Sequence, residues 1–359
     1  MTNRELAKLL GISPATFSMI INNKPGISSG TRERVLQRLA EMGYSHLIKT
    51  IPADPQPSLQ KRLCFVVYIR HGKVLNQHPF FLLLMESIEA QARKFGYYIM
   101  MMTIDSHSPV QPQIESLNQM NASGAIVFAT EMLEEDIVYF SDLTIPYVAI
   151  DNDFSHLNVN TVSINNWLGT QQAIEYLVRQ GHRKIGYLQS EDYISSFGER
   201  EKGYREALSR FNLTLEPQYI YRVRYSEEGS YLDTTALLKQ NRPLPTAFVC
   251  DDDTIATGAL RAFQNAGLRV PEDISLIGFN DRPNTGMTQP PLTSVNVPRY
   301  SFGTAAVDAI VSLIDKIQND PSAIVRTTKT RIGTQLTVRN SVQPASTQSE
   351  SPLPQGCSE

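Results

Sequence analysis

Hydrophobic positions follow two rhythms along this chain, and the change between them falls near residue 60. Up to Tyr44 the apolar residues recur at helical spacing, broken by helix-ending signals. Thr2 with Glu5 three residues on is a capping box for a first helix, which places Leu6, Leu9 and Leu10 on one face and ends at Gly11. After the turn Gly11-Ile12-Ser13, Ser13 caps a second helix that begins at Pro14, a position where a missing N–H costs nothing. Ser28 caps a third helix with Val35, Leu36 and Leu39 inward and Gly43 as its stop. From Leu63 onward, short apolar runs (63–69, 97–102, 124–129, 147–150, 184–188, 246–250 and 274–279) alternate with helical segments such as 80–95, closed by Gly96. That is the βαβ order of doubly wound parallel sheets, whose ligands lie beyond the carboxyl ends of the strands. The methionines at 100–102 are read as sheet core.

The two rhythms are separated by a stretch in which Pro52, Pro55 and Pro57 deny a helix and favour an extended tether. Residues 343–359 are rich in Ser, Pro and Gln without apolar period, so a disordered tail is expected. With 359 residues and 41% hydrophobic composition, the chain has room for a small head and a larger body of two domain-sized parts. Its net charge is −3, yet Arg4, Lys8, Lys24, Arg32, Arg34, Arg38 and Lys49 outweigh Glu5, Glu33 and Glu41 to leave the first 50 residues at about +4. Attraction for phosphates is therefore confined to one end.

Small side chains at the start of a second helix, reached through a tight turn and flanked by cations, form a helix-turn-helix that reads base edges in double-stranded DNA. The residues expected at that surface are Thr2, Ser13, Pro14, Ala15, Thr16, Ser18, Met19, Asn22, Ser28, Thr31 and Arg32. Other classes are disfavoured. No stretch approaches the roughly 20 apolar residues of a membrane span, and no basic-then-apolar leader precedes the first helix, so a cytoplasmic protein is expected rather than an exported binding protein. Neither a G-x-x-x-x-G-K-[ST] loop, as a head fused to a sugar-kinase-like body would require, nor an H-E-x-x-H pair occurs. No enzyme, catalytic residue, metal or cofactor is expected. Cys64, Cys250 and Cys357 lack metal-ligand spacing, and the first two are read as core residues of a reduced protein.

The head resembles that of the lactose-repressor/galactose-repressor family of bacterial transcription regulators. The likeness extends to about residue 340 through Gly181-His182-Arg183-Lys184-Ile185-Gly186, the Arg-x-x-Gly-Tyr-x-x-Ala-Leu pattern from Arg200 to Leu208, Val270-Pro271-Glu272-Asp273 and Pro291-Leu292-Thr293. The resemblance implies an all-α helix-turn-helix head (1–47), a Pro-rich linker (48–62) and an α/β periplasmic-binding-protein-like sensor of two doubly wound parallel-sheet lobes. The lobes would be threaded as 63–163 with 293–324 and 164–292 with 325–340, leaving 341–359 as tail. It implies a homodimeric repressor of carbohydrate-use genes on a near-palindromic operator, governed by a sugar, sugar phosphate or sugar acid between the lobes.

By the same resemblance Arg200 binds the effector as a five-donor fork. Asp252 and Asn280 stand where the family has Asn and Asp, with Asp253 expected to cap the next helix, and Phe81 belongs to the site. The aromatic platform falls on Arg224 or, with a one-residue slip, Tyr225. A lost anion at Asn280 and a cation at Arg224 would favour a negatively charged effector, whereas Tyr225 would suit a neutral sugar. His71 and His78 lie in a first-lobe loop longer than the family norm. The family's short operator-ordered helix, which wedges a leucine into the minor groove, has no counterpart after Tyr44, so a nearly straight operator is expected.

Overall fold

The structure is a computed structural model of the chain, and it describes residues 2–21, 27–42, 44, 61–75, 80–240, 242–320 and 326–345, with the side chains of Ser29 and 80–82 excepted. The chain divides into two units, Met1–Gln60 and Lys61–Glu359. The first contains α1 (Asn3–Leu9), α2 (Pro14–Ile21) and α3 (Ser29–Glu41) around a core of Leu6, Ala7, Phe17, Ile20, Ile21, Val35 and Leu39. The capping box forms, with the Thr2 N–H donating to Glu5 Oε2 at 2.8 Å. Gly11, at φ +68, lets the N–H of Ile12 turn back to the Ala7 carbonyl at 3.0 Å, closing α1 in a Schellman-type stop. Two expectations fail here. Leu9 is 61% exposed rather than inward, because it lies beyond the flank of the stripe that Leu6 and Leu10 share. Ser28 precedes α3 but makes no side-chain cap and instead donates to Thr31 Oγ1 at 2.8 Å.

The second unit holds two parallel sheets of like topology. The first runs β11-β5-β4-β3-β1-β2, built from β1 (Lys61–Ile69), β2 (Tyr97–Asp105), β3 (Gly124–Phe128), β4 (Tyr147–Ile150), β5 (Thr161–Ile164) and β11 (Lys329–Ile332). The second runs β12-β10-β9-β8-β6-β7, from β6 (Ile185–Ser190), β7 (Ile220–Val223), β8 (Ala247–Cys250), β9 (Ser275–Asn280), β10 (Thr293–Asn296) and β12 (Gln335–Thr337), in which only β12 is antiparallel among the described pairs. In each the order reverses beside the first strand, between β1 and β3 and between β6 and β8, which opens a crevice at the strands' carboxyl ends. A shared apolar cluster joins the lobes, with Phe65, Ile126 and Phe302 at one end and Tyr187, Tyr204 and Phe279 at the other.

The threading differs from the expected boundaries. β10 pairs with β9 in the second sheet, so the chain returns to the first lobe after residue 296 rather than at 293. There α10 (Arg299–Asn319) packs on α4 (Phe80–Lys94), and β11 pairs with β5. The last crossing thus falls between 332 and 335, not at 325. β11 is a largely exposed edge strand whose residues carry no apolar run, so hydrophobic pattern alone could not place it. The linker ends by residue 60, since Lys61 already belongs to β1; its remaining residues, 48–60, lie outside the described set.

Residues 341–345, expected to belong to a disordered tail, are packed on the second lobe. Ser341 is buried, accepting the Thr293 N–H at 2.8 Å and donating to the Leu276 carbonyl, and Ala345 N–H reaches the Gln180 carbonyl at 2.8 Å. Residues 346–359 lie outside the described set. The methionines at 100–102 are on β2, the edge of the first sheet, where Met100 and Met102 pack against the first lobe's apolar cluster and Met101 is 54% exposed. Cys64 and Cys250 are buried and free, as befits small core residues. Among the described residues no helix is long and apolar enough to cross a membrane.

Candidate functional site

In the head, α2 begins as the turn chemistry requires. Ser13 Oγ accepts the Thr16 N–H at 3.0 Å and lies 2.8 Å from Thr16 Oγ1, leaving Ser13, Pro14, Ala15 and Ser18 exposed along the helix start. Thr16 and Met19 are half-buried at its flank, while Phe17, Ile20 and Ile21 hold the helix to the core. Thr2, Ser28, Thr31 and Arg32 are at least partly exposed, and Asn22 lies outside the described residues.

In the sensor, polar side chains gather where the strands end. One cavity is lined from the first lobe by Phe128, Thr130, Asp151 and Ile164, and from the second by Ile194, Ser196, Phe197, Arg200, Tyr225, Asp252 and Asn280, with Val297 where the chain crosses back. It offers only about 20 Å³, room for a single water, so a sugar-sized ligand requires the lobes to part or the lining to rearrange.

Arg200 is presented by α7 (Ser195–Arg210). The motif around it has a packing logic. A Cβ on Gly203 would lie 2.8 Å from the Trp167 carbonyl oxygen, so only glycine lets α7 approach α6 (Asn166–Arg179) this closely. Tyr204 then stacks on Tyr187 with centroids 4.8 Å apart and donates to the Ile185 carbonyl at 2.8 Å. So held, the Arg200 guanidinium lies 3.7 Å from the centroid of the Phe279 ring, with Nε donating to Asn166 Oδ1 at 2.9 Å and Nη1 to the Asp251 carbonyl. Its partners are an amide oxygen and a carbonyl, none of them a carboxylate, although only 5% of the residue is exposed.

The three aspartates after β8 divide their work differently from expectation. Asp252, not Asp253, caps α9 (Asp253–Asn265), accepting the Thr254 N–H at 2.7 Å. Its carboxylate also receives Asn280 Nδ2 and Arg282 Nη2, the latter at 3.0 Å. Asp253 instead ties down the segment after β9, accepting the Arg282 N–H at 2.8 Å and Ser294 Oγ at 2.6 Å. Asp251 accepts the Ser190 N–H at 2.7 Å and the Tyr187 hydroxyl, and burial pushes its carboxyl up to about 7. Asn280 has φ +100, a conformation that few side chains tolerate, and it turns the chain so that Arg282 folds back into the wall.

Of the two candidates for an aromatic platform, Tyr225 lines the cavity and Arg224 does not. Tyr225 is buried with its ring 5.4 Å from that of Phe197, and its hydroxyl accepts Arg282 Nη2 at 3.0 Å. Arg224 points to solvent and pairs with Asp233 at 2.7 Å, so it supplies no cation to the cavity. The side chain of Phe81, and His78, lie outside the described residues. Arg282, Asp151, Thr130 and Asn166 escaped the sequence. Arg282 compensates Asp252 and brings a second guanidinium, Asp151 and Thr130 face the second lobe from the first, and Asn166 orients Arg200. Asp151 sits at φ +66 and accepts Thr130 Oγ1 at 2.6 Å, and burial raises its carboxyl to about 6. For Asp151 and Thr130 a signal existed, since each is at or just beyond the polar end of an apolar strand run.

The model for bacterial regulatory proteins of the lacI family matches residues 2–46, and that for a periplasmic-binding-protein-like domain matches 174–342. Over 319 residues the chain is 30% identical to a ribose operon repressor from Haemophilus influenzae, covering 89% of this chain and 92% of that protein. It is 28% identical to the transcriptional repressor CytR of Escherichia coli, covering 88% and 90% of the two chains. Among solved structures, the lac repressor dimer bound to operator and an anti-inducer aligns with a TM-score of 0.68 at 22% identity, covering 96% of this chain and 99% of that one. A complex of the regulator CelR with cellobiose gives 0.68 at 23%, covering 95% and 99%.

Proposed function

The chain belongs to the lacI family of bacterial regulatory proteins, and we propose that it is a homodimeric repressor of carbohydrate-use genes, acting in the cytoplasm and controlled by a sugar-like effector held between its sensor lobes. The carrying observation is the convergence of Arg200, Tyr225, Asp252 and Asn280 from one lobe with Thr130 and Asp151 from the other on a single cavity. Polar groups buried without solvent favour a ligand that returns hydrogen bonds from several directions, as a polyhydroxylated ring does, while Tyr225 and Phe197 suit its apolar face. An acidic substituent on that ring fits beside Arg200, whose hydrogen bonds go to an amide oxygen and a main-chain carbonyl while the carboxyls of Asp151, Glu199 and Asp251 feel its charge only through space.

DNA recognition is assigned to the exposed start of α2, with Ser13, Pro14, Ala15, Thr16, Ser18 and Met19 toward the bases and Thr2, Ser28, Thr31 and Arg32 beside phosphates. The partner protomer is assigned to the sensor, where edge strand β2 exposes Tyr98 and Met101 and α4 exposes Leu83. An edge strand with such residues needs covering. A thermal-shift screen of the full chain against pentoses, hexoses, uronic acids, sugar phosphates and nucleosides tests the effector assignment, because saturation stabilises the form that binds. Stabilisation by at least one sugar or sugar derivative, lost in Arg200→Ala, is expected. Stabilisation by nucleosides alone would move the effector out of the carbohydrate class.

A further inference from the structure

We propose that residues 70–75, the loop after β1, form a clasp by which the first lobe holds the second closed over the effector cavity. That this closure bears on effector response rests on the function proposed above. Glu131, just beyond β3 and 2% exposed, organises the loop from within. Its Oε2 accepts the backbone N–H groups of Arg70 at 3.0 Å, His71 at 3.0 Å and Gly72 at 2.8 Å, and its Oε1 those of Val74 at 3.1 Å and Leu75 at 3.3 Å. Gly72, at φ +70, provides the bend that brings these groups round one carboxylate. The Arg70 side chain adds a two-pronged pair with Asp136 at 2.8 and 3.0 Å. Every one of these anchors belongs to the first lobe.

The two residues at the tip reach the other lobe. Val74 is fully buried and belongs to the second lobe's apolar cluster, with Leu188, Ile194, Phe197 and Tyr225. Its neighbour Lys73 pairs with Asp192 at 2.7 Å. Asp192 lies between β6 and α7, the segment that continues into cavity residues Ile194, Ser196 and Phe197. A loop fixed on one lobe and seated on the other in this way favours the closed arrangement without touching the ligand, so it sets how much of the protein is ready to enclose an effector.

The test measures lobe separation directly, with no effector and no DNA, so failure of the proposed function leaves it intact. Spin labels on Glu115→Cys and Gln218→Cys, both exposed positions on different lobes, are placed in a full-length Cys357→Ser background, and labelled protomers are diluted into unlabelled ones. Double electron–electron resonance is expected to give one dominant separation in this parent. Val74→Asp is expected to raise the ratio of longer to shorter separations roughly tenfold, and Lys73→Glu roughly two- to fivefold. Combining Lys73→Glu with Asp192→Lys should restore the parent distribution. In Glu131→Gln, amide exchange should accelerate across residues 70–75. Unchanged separations in folded Val74→Asp overturn the clasp. If that variant does not fold, absence of mutual rescue between Lys73→Glu and Asp192→Lys overturns it.

Discussion

The start of α2 and the cavity between the lobes are the two surfaces proposed for recognition, and they are built on opposite principles. On α2 the proposed contact side chains are exposed or, at Thr16 and Met19, half-buried, and Phe17, Ile20 and Ile21 hold the helix to the head's core. In the cavity Arg200, Asp252, Asn280 and Tyr225 are buried and already bonded to neighbouring side chains or to main chain. A surface that meets rigid, charged DNA can leave its polar groups to water until the partner comes. A cavity that closes cannot, because an unsatisfied buried polar group costs about 1–3 kcal/mol. Substitutions on α2 should therefore change which sequence is bound with little effect on folding. Substitutions in the cavity should change both ligand affinity and the stability of the sensor.

The largest effect is expected for Arg200→Ala. It removes charged hydrogen bonds, each about 1.5–3 kcal/mol, and leaves the Asp251 carbonyl and Asn166 amide without their donor. Effector affinity should fall by about a hundredfold or more in calorimetry with the ligand found by thermal shift, while operator affinity in a gel shift stays near that of the parent. Unchanged effector affinity would remove Arg200 from the site.

Asp251→Asn sharpens the contrast through pH. The Asp251 carboxyl is raised by burial to about 7 from an ordinary 3.8, so the folded form holds its proton more tightly than the unfolded chain. The cost of ionising it in the fold is absent below about pH 4 and complete above about pH 7. Between pH 5 and 8 the parent should thus lose more stability than Asp251→Asn, by on the order of a few kcal/mol. Urea unfolding at the two pH values measures the difference, and parallel profiles would show that Asp251 is not held protonated by the fold.

Met19→Arg addresses the head. A guanidinium at this position offers a two-pronged contact to guanine where Met19 offers an apolar one to a thymine methyl, a difference worth about 1–3 kcal/mol at one base pair. Selection from random duplexes should shift preference there while thermal unfolding of the sensor is unmoved. An unaltered selected sequence would place Met19 away from the bases. The smallest effect is expected for Arg224→Ala, whose exposed pair with Asp233 should alter effector affinity by no more than about twofold.

These contrasts also mark how far the sequence could be read. The apolar strand runs, the Thr2–Glu5 box and the Ser13–Pro14 helix start all express local chemistry, and the backbone follows them. Arg200 was found through a motif whose glycine and tyrosine have visible packing jobs. What could not be read turns on single-residue register. In Asp251-Asp252-Asp253 the capping role depends on where β8 stops, and in Arg224-Tyr225 the inward side chain flips with a slip of one. Arg282 is a surface residue by composition, and only the turn at Asn280 and Asp281 brings it inside.

The central claim is that occupancy of the cavity between the lobes changes the hold of the head on DNA. The direct measurement is fluorescence anisotropy of a labelled, selected operator titrated with the full-length protein, with and without saturating amounts of the ligand found by thermal shift. The expected result is a change in operator affinity of about fivefold or more in the parent, absent in Arg200→Ala, which still binds the bare operator. Equal affinity with and without ligand in the parent, at a ligand concentration that stabilises the sensor, would contradict the claim.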